Sequence, residues 1–72
     1  MSQAMFEVVP LDGGWLLRLP GDSIAELRPT KRDALERFRE LARGHEDWRV
    51  RVLTTTGSVE AELRSSEIHP GS

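Results

Sequence analysis

The sequence predicts an α+β domain in which a small antiparallel sheet packs one face against a single helix. Apolar residues recur at helical spacing in one stretch of the chain. The other apolar stretches alternate with polar residues, as strands do, and turn-forming glycines fall between them. The predicted order is strand, strand, short strand, helix, strand, strand, and one helix can cover one face of such a sheet.

The first two strands are predicted from FEVVPL and WLLRL. Pro10 belongs near the end of the first strand, because proline has no backbone donor for a sheet. The DGG run between the strands tolerates the positive φ of a tight hairpin turn. We interpret its glycines as turn residues and Trp15 as a core side chain, since a phosphate-binding glycine loop would lead into a helix and not into a strand.

A short third strand is predicted in SIAELRP, followed by a helix from Lys31 to Arg43. Thr30 and Asp33 resemble a capping box at the start of the helix, and Gly44 is the expected stop. The apolar residues of the helix share one face at helical spacing. They are Ala34, Leu35, Phe38, Leu41 and Ala42.

A closing hairpin is predicted from WRVRVLT and SVEAELR. A two-residue turn at Thr56 and Gly57 keeps apolar residues opposite apolar residues, whereas a three-residue loop would set Val52 against Glu60. The two-residue turn predicts the pairs Val52–Ala61, Val50–Leu63 and Arg51–Glu62.

The predicted core lies between the helix stripe and one face of the sheet. Its sheet residues are Phe6, Val8, Trp15, Leu17, Leu19, Trp48, Val50, Val52, Val59, Ala61 and Leu63. The single domain is predicted over residues 6–64, with a flexible N-terminus at residues 1–5 and a flexible C-terminal tail at residues 65–72.

Composition argues against several classes of protein. The chain of 72 residues is 38% apolar and 31% charged, as in soluble globular domains. It has no cysteine for a disulfide or a thiolate, no signal peptide, and no apolar run near the roughly 20 residues of a membrane helix. We therefore expect a cytoplasmic protein without membrane contact. The net charge of −2 argues against a nucleic-acid binder.

No catalytic, metal or cofactor site is predicted. His45 and His69 are the only histidines, and neither has a partner at metal-ligand spacing. Glu60 and Glu62 share a predicted strand face and could form a pair of carboxylates. Arg51, opposite Glu62, favours an ordinary cross-strand ion pair instead. We therefore expect a protein without enzymatic activity and without a cofactor, and a small enzyme is the least favoured hypothesis.

The charged side of the helix is typical of a solvated surface, with ion pairs predicted for Asp33–Arg37, Glu36–Arg39 and Glu40–Arg43. The alternative is a weak nucleic-acid-binding module, in which Trp48 stacks on a base and the arginines contact phosphates. The contacts of this alternative are Arg32, Arg39, Arg43, Arg49 and Arg51.

The favoured hypothesis is a protein-interaction module that forms a homodimer through the sheet face away from the helix. A contiguous apolar group on a surface marks an interface, and a two-fold dimer is the commonest way to bury it. The predicted apolar group is Val9, Leu11, Leu16 and Leu53, joined by Ala25 or Leu27. Its charged rim is Arg18, Arg49, Arg51, Glu60 and Glu62. The alternative is a monomer in which the tail or the PGDS loop covers this face.

The order and spacing of these motifs resemble the short bacterial family named domain of unknown function 2188. The resemblance covers about residues 6–64 and rests on an opening strand that ends near VP, a DGGW turn, and a TK start to a helix with spaced alanines. The chain departs from the family in TTTG of the closing hairpin and in the bulky Leu35 and Phe38. The resemblance implies a small α+β domain without an assigned activity, and it brings no catalytic residues.

Overall fold

The computed structural model describes residues 3–21 and 24–65, and its elements follow the predicted order. They are β1 Ala4–Leu11, β2 Gly14–Arg18, β3 Ala25–Arg28, α1 Lys31–Ala42, β4 Trp48–Leu53 and β5 Val59–Arg64. One helix on a five-stranded sheet confirms the predicted α+β class. The first strand begins at Ala4, before the predicted Phe6, and α1 ends at Ala42 with Arg43 as its C-cap.

The sheet has the strand order β3-β2-β1-β4-β5 and is mostly antiparallel. Its central pair, β1 and β4, is parallel and places Phe6 beside Val50 and Val8 beside Val52. This parallel pair differs from the antiparallel sheet that the sequence predicts. The helix between β3 and β4 provides the crossover that brings the chain back to start β4 in the direction of β1. Pro10 lies beyond the last of these β1–β4 pairs, as expected for proline near a strand end.

The two glycines of the first hairpin have different structural roles. Leu11 pairs with Gly14, so Asp12 and Gly13 form the turn between β1 and β2. Gly13 has a φ of +86°, which L side chains rarely adopt. Gly14 begins β2, and a Cβ there would lie 2.9 Å from the backbone oxygen of Arg28 on β3. The first glycine makes the turn, and the second lets β3 approach β2.

Helix α1 begins and packs as its sequence predicts. The hydroxyl oxygen of Thr30 accepts a hydrogen bond of 3.0 Å from the backbone N–H of Asp33, which satisfies one free donor of the first turn. The buried side chains of the helix are Ala34, Phe38 and Ala42. Gly44 follows the C-cap, but its φ is outside the positive region, so the helix ends without the left-handed glycine that often closes helices.

An aromatic cluster fills the centre of the core. The ring of Phe38 lies edge-on to Phe6 and to Trp48, with centroid distances of 5.0 Å in both pairs. Edge-to-face contacts at this distance are favourable beyond the area they bury. The buried core is Ala4, Phe6, Val8, Leu17, Ala34, Phe38, Ala42, Val50 and Val52. Trp15, Leu19 and Trp48, predicted as core residues, are half-buried and pack against its margin.

The closing hairpin has the predicted central register but a different turn. The three predicted pairs, Val52–Ala61, Val50–Leu63 and Arg51–Glu62, are confirmed. The predicted two-residue turn is wrong, because the N–H of Thr54 bonds the carbonyl of Ser58 and leaves a three-residue loop. β5 has a bulge opposite Val52 and Leu53, which adds one residue to this strand. The added residue compensates for the odd number of residues in the loop, so apolar residues still pair with apolar residues.

The bulge and the position of α1 expose part of the predicted core. Val59 pairs with Leu53 on the opposite face from the helix and is 54% exposed, so its assignment to the core is wrong. Ala61 and Leu63 face the helix side, as predicted, but both are exposed. Helix α1 makes its main contacts with β1, β2 and β3, and leaves β5 uncovered.

Candidate interaction surface

The sheet face opposite α1, called the open face below, has an apolar row that crosses all five strands. Leu27 of β3 pairs with Leu16 of β2, and Leu16 pairs with Val9 of β1. Leu53 of β4 continues the row, since Val9 and Leu53 directly follow the paired Val8 and Val52. Val59 of β5 completes it opposite Leu53. The apolar row is therefore Leu27, Leu16, Val9, Leu53 and Val59.

The apolar row is most exposed at its two ends. Leu27 is 67% exposed, and Val59 is exposed at the other edge, while Val9, Leu16 and Leu53 are half-buried by their neighbours in the sheet. With strands about 4.8 Å apart, the row spans about 19 Å. Leu11, two residues after Val9 on the same side of β1, is also exposed and widens it. The structure thus places the four residues predicted for self-association, Val9, Leu11, Leu16 and Leu53, on one face.

A charged row runs next to the apolar row on the open face. Glu7 pairs with Arg18 on one side and Arg51 on the other, and Glu62 pairs with Arg51. Arg18 approaches the carboxylate of Glu7 at 3.5 Å, and Nε of Arg51 donates a hydrogen bond of 2.9 Å to Glu62. This bond confirms the predicted Arg51–Glu62 ion pair. The same hydrogen bond, assisted by the charges of the nearby arginines, lowers the pKa of Glu62.

Glu60 and Glu62 do not form a pair of carboxylates. Glu60 lies at the bulge, and its carboxylate is 2.5 Å from Nζ of Lys31 on the helix side of the sheet. Glu62 lies on the open face with Arg51. The predicted shared face is therefore wrong, and Glu60 is not part of the charged rim that the sequence predicts around the apolar group.

The arginines of the nucleic-acid alternative lie on two different surfaces. Arg49 and Arg51 are on the open face, both within 4.0 Å of Glu62. The helix arginines, Arg32, Arg39 and Arg43, project from α1 on the other side of the sheet. Trp48 also lies on the helix side, edge-on to Phe38, and therefore away from the arginines that flank it in sequence. The structure does not bring these residues together into one basic surface.

Of the two histidines predicted to lie on the surface, the structure describes only His45. His45 is exposed, and its ring lies edge-on to Phe6 at 5.9 Å. His69 lies outside the described residues.

Within residues 3–21 and 24–65, no group of three or more His, Asp or Glu side chains could hold a metal ion. No helix in this part of the chain is long and apolar enough to cross a membrane.

Two members of the apolar row are not fixed by the sequence pattern. The sequence allows either Ala25 or Leu27 of the short third strand to join the apolar row. In the structure Leu27 pairs with Leu16 and joins it, whereas Ala25 pairs with Arg18 in the charged row. Val59 reaches the open face only through the bulge in β5. No residue type in SVEAELR marks a bulge, so a strict alternation assigns Val59 to the core.

The edge strand β3, which carries Leu27, is fastened to α1 by Glu26. This carboxylate accepts hydrogen bonds of 2.9 Å from Nε of Arg37 and 2.8 Å from Arg28. These bonds, that from Arg37 foremost, lower the pKa of Glu26 below its ordinary value of 4.5. Ionised Glu26 therefore stabilises the folded state, and protonation removes this contribution.

We expect the substitution Glu26→Gln to lower stability at pH 7 and to lower it less at pH 3. The pKa of Glu26 is lower in the folded state than in the unfolded state. The stability that ionised Glu26 contributes is therefore complete above its ordinary pKa, and it is lost as the pH falls through the pKa of the folded state. Urea unfolding followed by circular dichroism at both pH values measures the difference between variant and original chain. Glu36→Gln is the control, since Glu36 is 60% exposed and 3.5 Å from Arg32. An equal deficit for Glu26→Gln at both pH values would contradict the assignment.

One of the comparisons with known proteins identifies the family of this chain. No curated protein and no solved structure matches the chain. A family model matches residues 6–64, from Phe6 in β1 to the end of β5. The match covers most of the 72 residues and agrees with the resemblance seen in the DGGW turn and the TK helix start. The chain therefore belongs to the DUF2188 family, described as uncharacterised proteins conserved in bacteria.

Proposed function

We propose that this domain is a non-catalytic protein-interaction module that forms a two-fold homodimer through its open face. The observation that carries the proposal is the apolar row from Leu27 to Val59, which is continuous across five strands and lies on the face away from α1. Contiguous apolar patches of this kind are rare on monomers and mark interaction sites. The absence of cysteine fits such a module in a reducing cytoplasm.

A short chain has a particular reason to bury this row. The buried core of the domain consists of small and medium side chains around two phenylalanines. A domain of this size buries only about 60% of the surface of its unfolded chain, so its stability is small. Each Å² of apolar surface removed from water contributes about 25 cal/mol. Association through the open face would add to the stability of each protomer.

The charged row suits a symmetric contact. In a two-fold interface the same surface of both copies meets, so the charged row of one copy faces the charged row of the other. The row alternates in sign through Arg18, Glu7, Arg51 and Glu62. Two such rows in opposite directions can place arginines against carboxylates and so fix how the two sheets align.

A catalytic role has little support in the cavities. A cavity of about 520 Å³ is lined in part by Glu7, Arg18 and His45. Glu7 and Arg18 form an ion pair with each other, and the described residues of the lining include no serine, threonine or cysteine nucleophile. These features support a binding module over an enzyme.

Sedimentation equilibrium between 5 and about 100 µM tests the proposal. The original chain is expected to approach the mass of two 8.1 kDa protomers. The variant Leu27→Asp/Val59→Asp places charges in the apolar row and is expected to sediment as a monomer. Both residues are more than half exposed, so the protomer should remain folded. Leu16→Ser/Leu53→Ser tests the centre of the row in the same way.

The matched control is Ile24→Asp/Leu63→Asp. These residues are 59% and 49% exposed, similar to Leu27 and Val59, but they lie outside the open face. The control is expected to dimerise like the original chain. A mass of 8.1 kDa for the original chain over the whole range would reject the proposal. Equal dissociation of the control would reject the open face as the interface.

A further inference from the structure

We propose that a cleft between α1 and β5 binds an amphipathic helix with an acidic flank from a partner protein. This inference concerns the helix side of the sheet and is independent of self-association through the open face. It rests on three observations: the uncovered half of the helix layer, the apolar floor of the cleft, and two arginines at its rim without acidic partners among the described residues.

The helix layer of this fold has room for a second helix. Helix α1 makes its main contacts with β1, β2 and β3. Packed helices lie about 8–10 Å apart, which corresponds to about two strand spacings of 4.8 Å. A helix beside α1 would therefore lie over β4 and β5. The twelve residues of α1 extend about 18 Å, close to the length of the six-residue β5, so a neighbour of similar length would be supported along its whole length.

The floor of the cleft is apolar. A cavity of about 240 Å³ lies between the last two turns of α1 and the hairpin β4–β5. Leu63 is 49% exposed on β5, although its cross-strand neighbour Val50 is buried. Trp48 is half-buried beside it, with one edge against Phe38. A helix with a stripe of apolar side chains would cover Leu63 and Trp48 as α1 covers the rest of the sheet.

The rim of the cleft is basic. The ion pairs that the structure describes involve Arg18, Arg28, Lys31, Arg32, Arg37, Arg49 and Arg51. Arg39 and Arg43 line the cleft and form no ion pair with a described residue. The predicted pairs Glu36–Arg39 and Glu40–Arg43 do not form, because Glu36 approaches Arg32 and Glu40 approaches Arg37. Among residues 3–21 and 24–65, no acidic side chain lines this cavity.

The charge of the rim selects the occupant. A partner helix with Asp or Glu beside its apolar stripe would place carboxylates near Arg39 and Arg43, which can bind them in the bidentate geometry of guanidinium. Helix α1 of a second copy does not fit, because its apolar stripe is already buried against its own sheet. Both cations also suit the C-terminal end of α1 through its dipole. The dipole does not explain the exposed apolar floor beside them.

Two synthetic 14-residue helices provide the probes. Both have leucine at helical spacing along one stripe, flanked by glutamate in the first and by lysine in the second. Titration of the ¹⁵N-labelled full chain is expected to shift the amides of Leu63, Arg39 and Arg43 and the indole of Trp48 with the glutamate peptide. The lysine peptide is expected to bind at least tenfold more weakly, since it places like charges at the rim.

The variant Arg39→Glu/Arg43→Glu is expected to weaken binding of the glutamate peptide at least tenfold and to strengthen that of the lysine peptide. Arg32→Glu is the matched control for Arg39→Glu alone, since it makes the same change of net charge on α1 at an exposed position outside the cleft and the open face. It is expected to bind like the original chain. The monomeric variant Leu27→Asp/Val59→Asp is expected to bind normally, which separates this proposal from the homodimer.

Three results would overturn the proposal. The first is equal binding of both peptides or of neither. The second is equal weakening by Arg39→Glu and Arg32→Glu, which would indicate a general effect of charge. The third is a set of intramolecular NOEs between Ile68 and Leu63 in the free chain, which would show that residues 66–72 fill the cleft.

Discussion

Replacing Phe38 with alanine is expected to remove a large share of the stability of the domain. Phe38 is 4% exposed, and its ring contacts both Phe6 and Trp48 edge-on at 5.0 Å. Removing a buried phenylalanine costs about 3–5 kcal/mol. A domain of this length has a total stability of about 4–11 kcal/mol at the usual 0.05–0.15 kcal/mol per residue. The substitution would therefore remove between about a quarter of the stability and all of it.

Urea unfolding followed by far-ultraviolet circular dichroism measures this loss without depending on the fluorescence of Trp48, which contacts the substituted ring. Phe38→Leu is expected to lose less, because it keeps most of the buried volume. Leu41→Ala is the control on the same helix, since Leu41 is half-buried at the margin of the core. If Phe38→Ala cost no more than Leu41→Ala, the aromatic cluster would not be the centre of the core.

Replacing Gly14 with alanine is expected to cost about 1–3 kcal/mol, the usual range for an added methyl without space. The new Cβ would lie 2.9 Å from the carbonyl oxygen of Arg28. That oxygen belongs to the backbone of β3, so the contact is relieved only by moving β3 away from β2. The main local effect should be faster hydrogen exchange of the amides in Ala25–Arg28.

Gly44→Ala is the matched control for this substitution. A Cβ at Gly44 would lie at an ordinary distance of 3.6 Å from the backbone oxygen of Leu41, and its φ is outside the positive region. This variant is expected to be as stable as the original chain or slightly more so, because alanine has less conformational freedom in the unfolded state. Similar losses at both glycines would contradict the role given to Gly14.

The elements of the fold were predictable because each has a local signal. The stripe from Ala34 to Ala42 and the Thr30 cap define α1, and alternation defines the strands. The parallel pairing of β1 with β4 has no local signal, because it depends on where the crossover places β4 in the sheet. The loop length of the closing hairpin was also not predictable. An odd loop and a one-residue bulge together give the register of an even loop.

The residues of the candidate surface were predictable where the alternation of side chains along a strand alone determines which face they lie on. Val9, Leu16 and Leu53 alternate with core residues in strands without bulges, and the structure places them on the open face. Self-association through this face stays a prediction. The cleft beside α1 was not predictable, because a complete alternation in β5 suggests that Leu63 is covered. Its 49% exposure arises from the width of one helix, which covers only part of a five-stranded sheet.

The most direct test of the open-face homodimer is an isotope-filtered NOE experiment. One half of the sample carries ¹³C-labelled leucine and valine methyl groups, and the other half is unlabelled. We predict intermolecular NOEs from the methyl groups of Val9, Leu16 and Leu53 at about 100 µM or above, and none from Leu63. Intermolecular NOEs from Leu63 without those of the apolar row, or no intermolecular NOE at all, would contradict the homodimer proposed here.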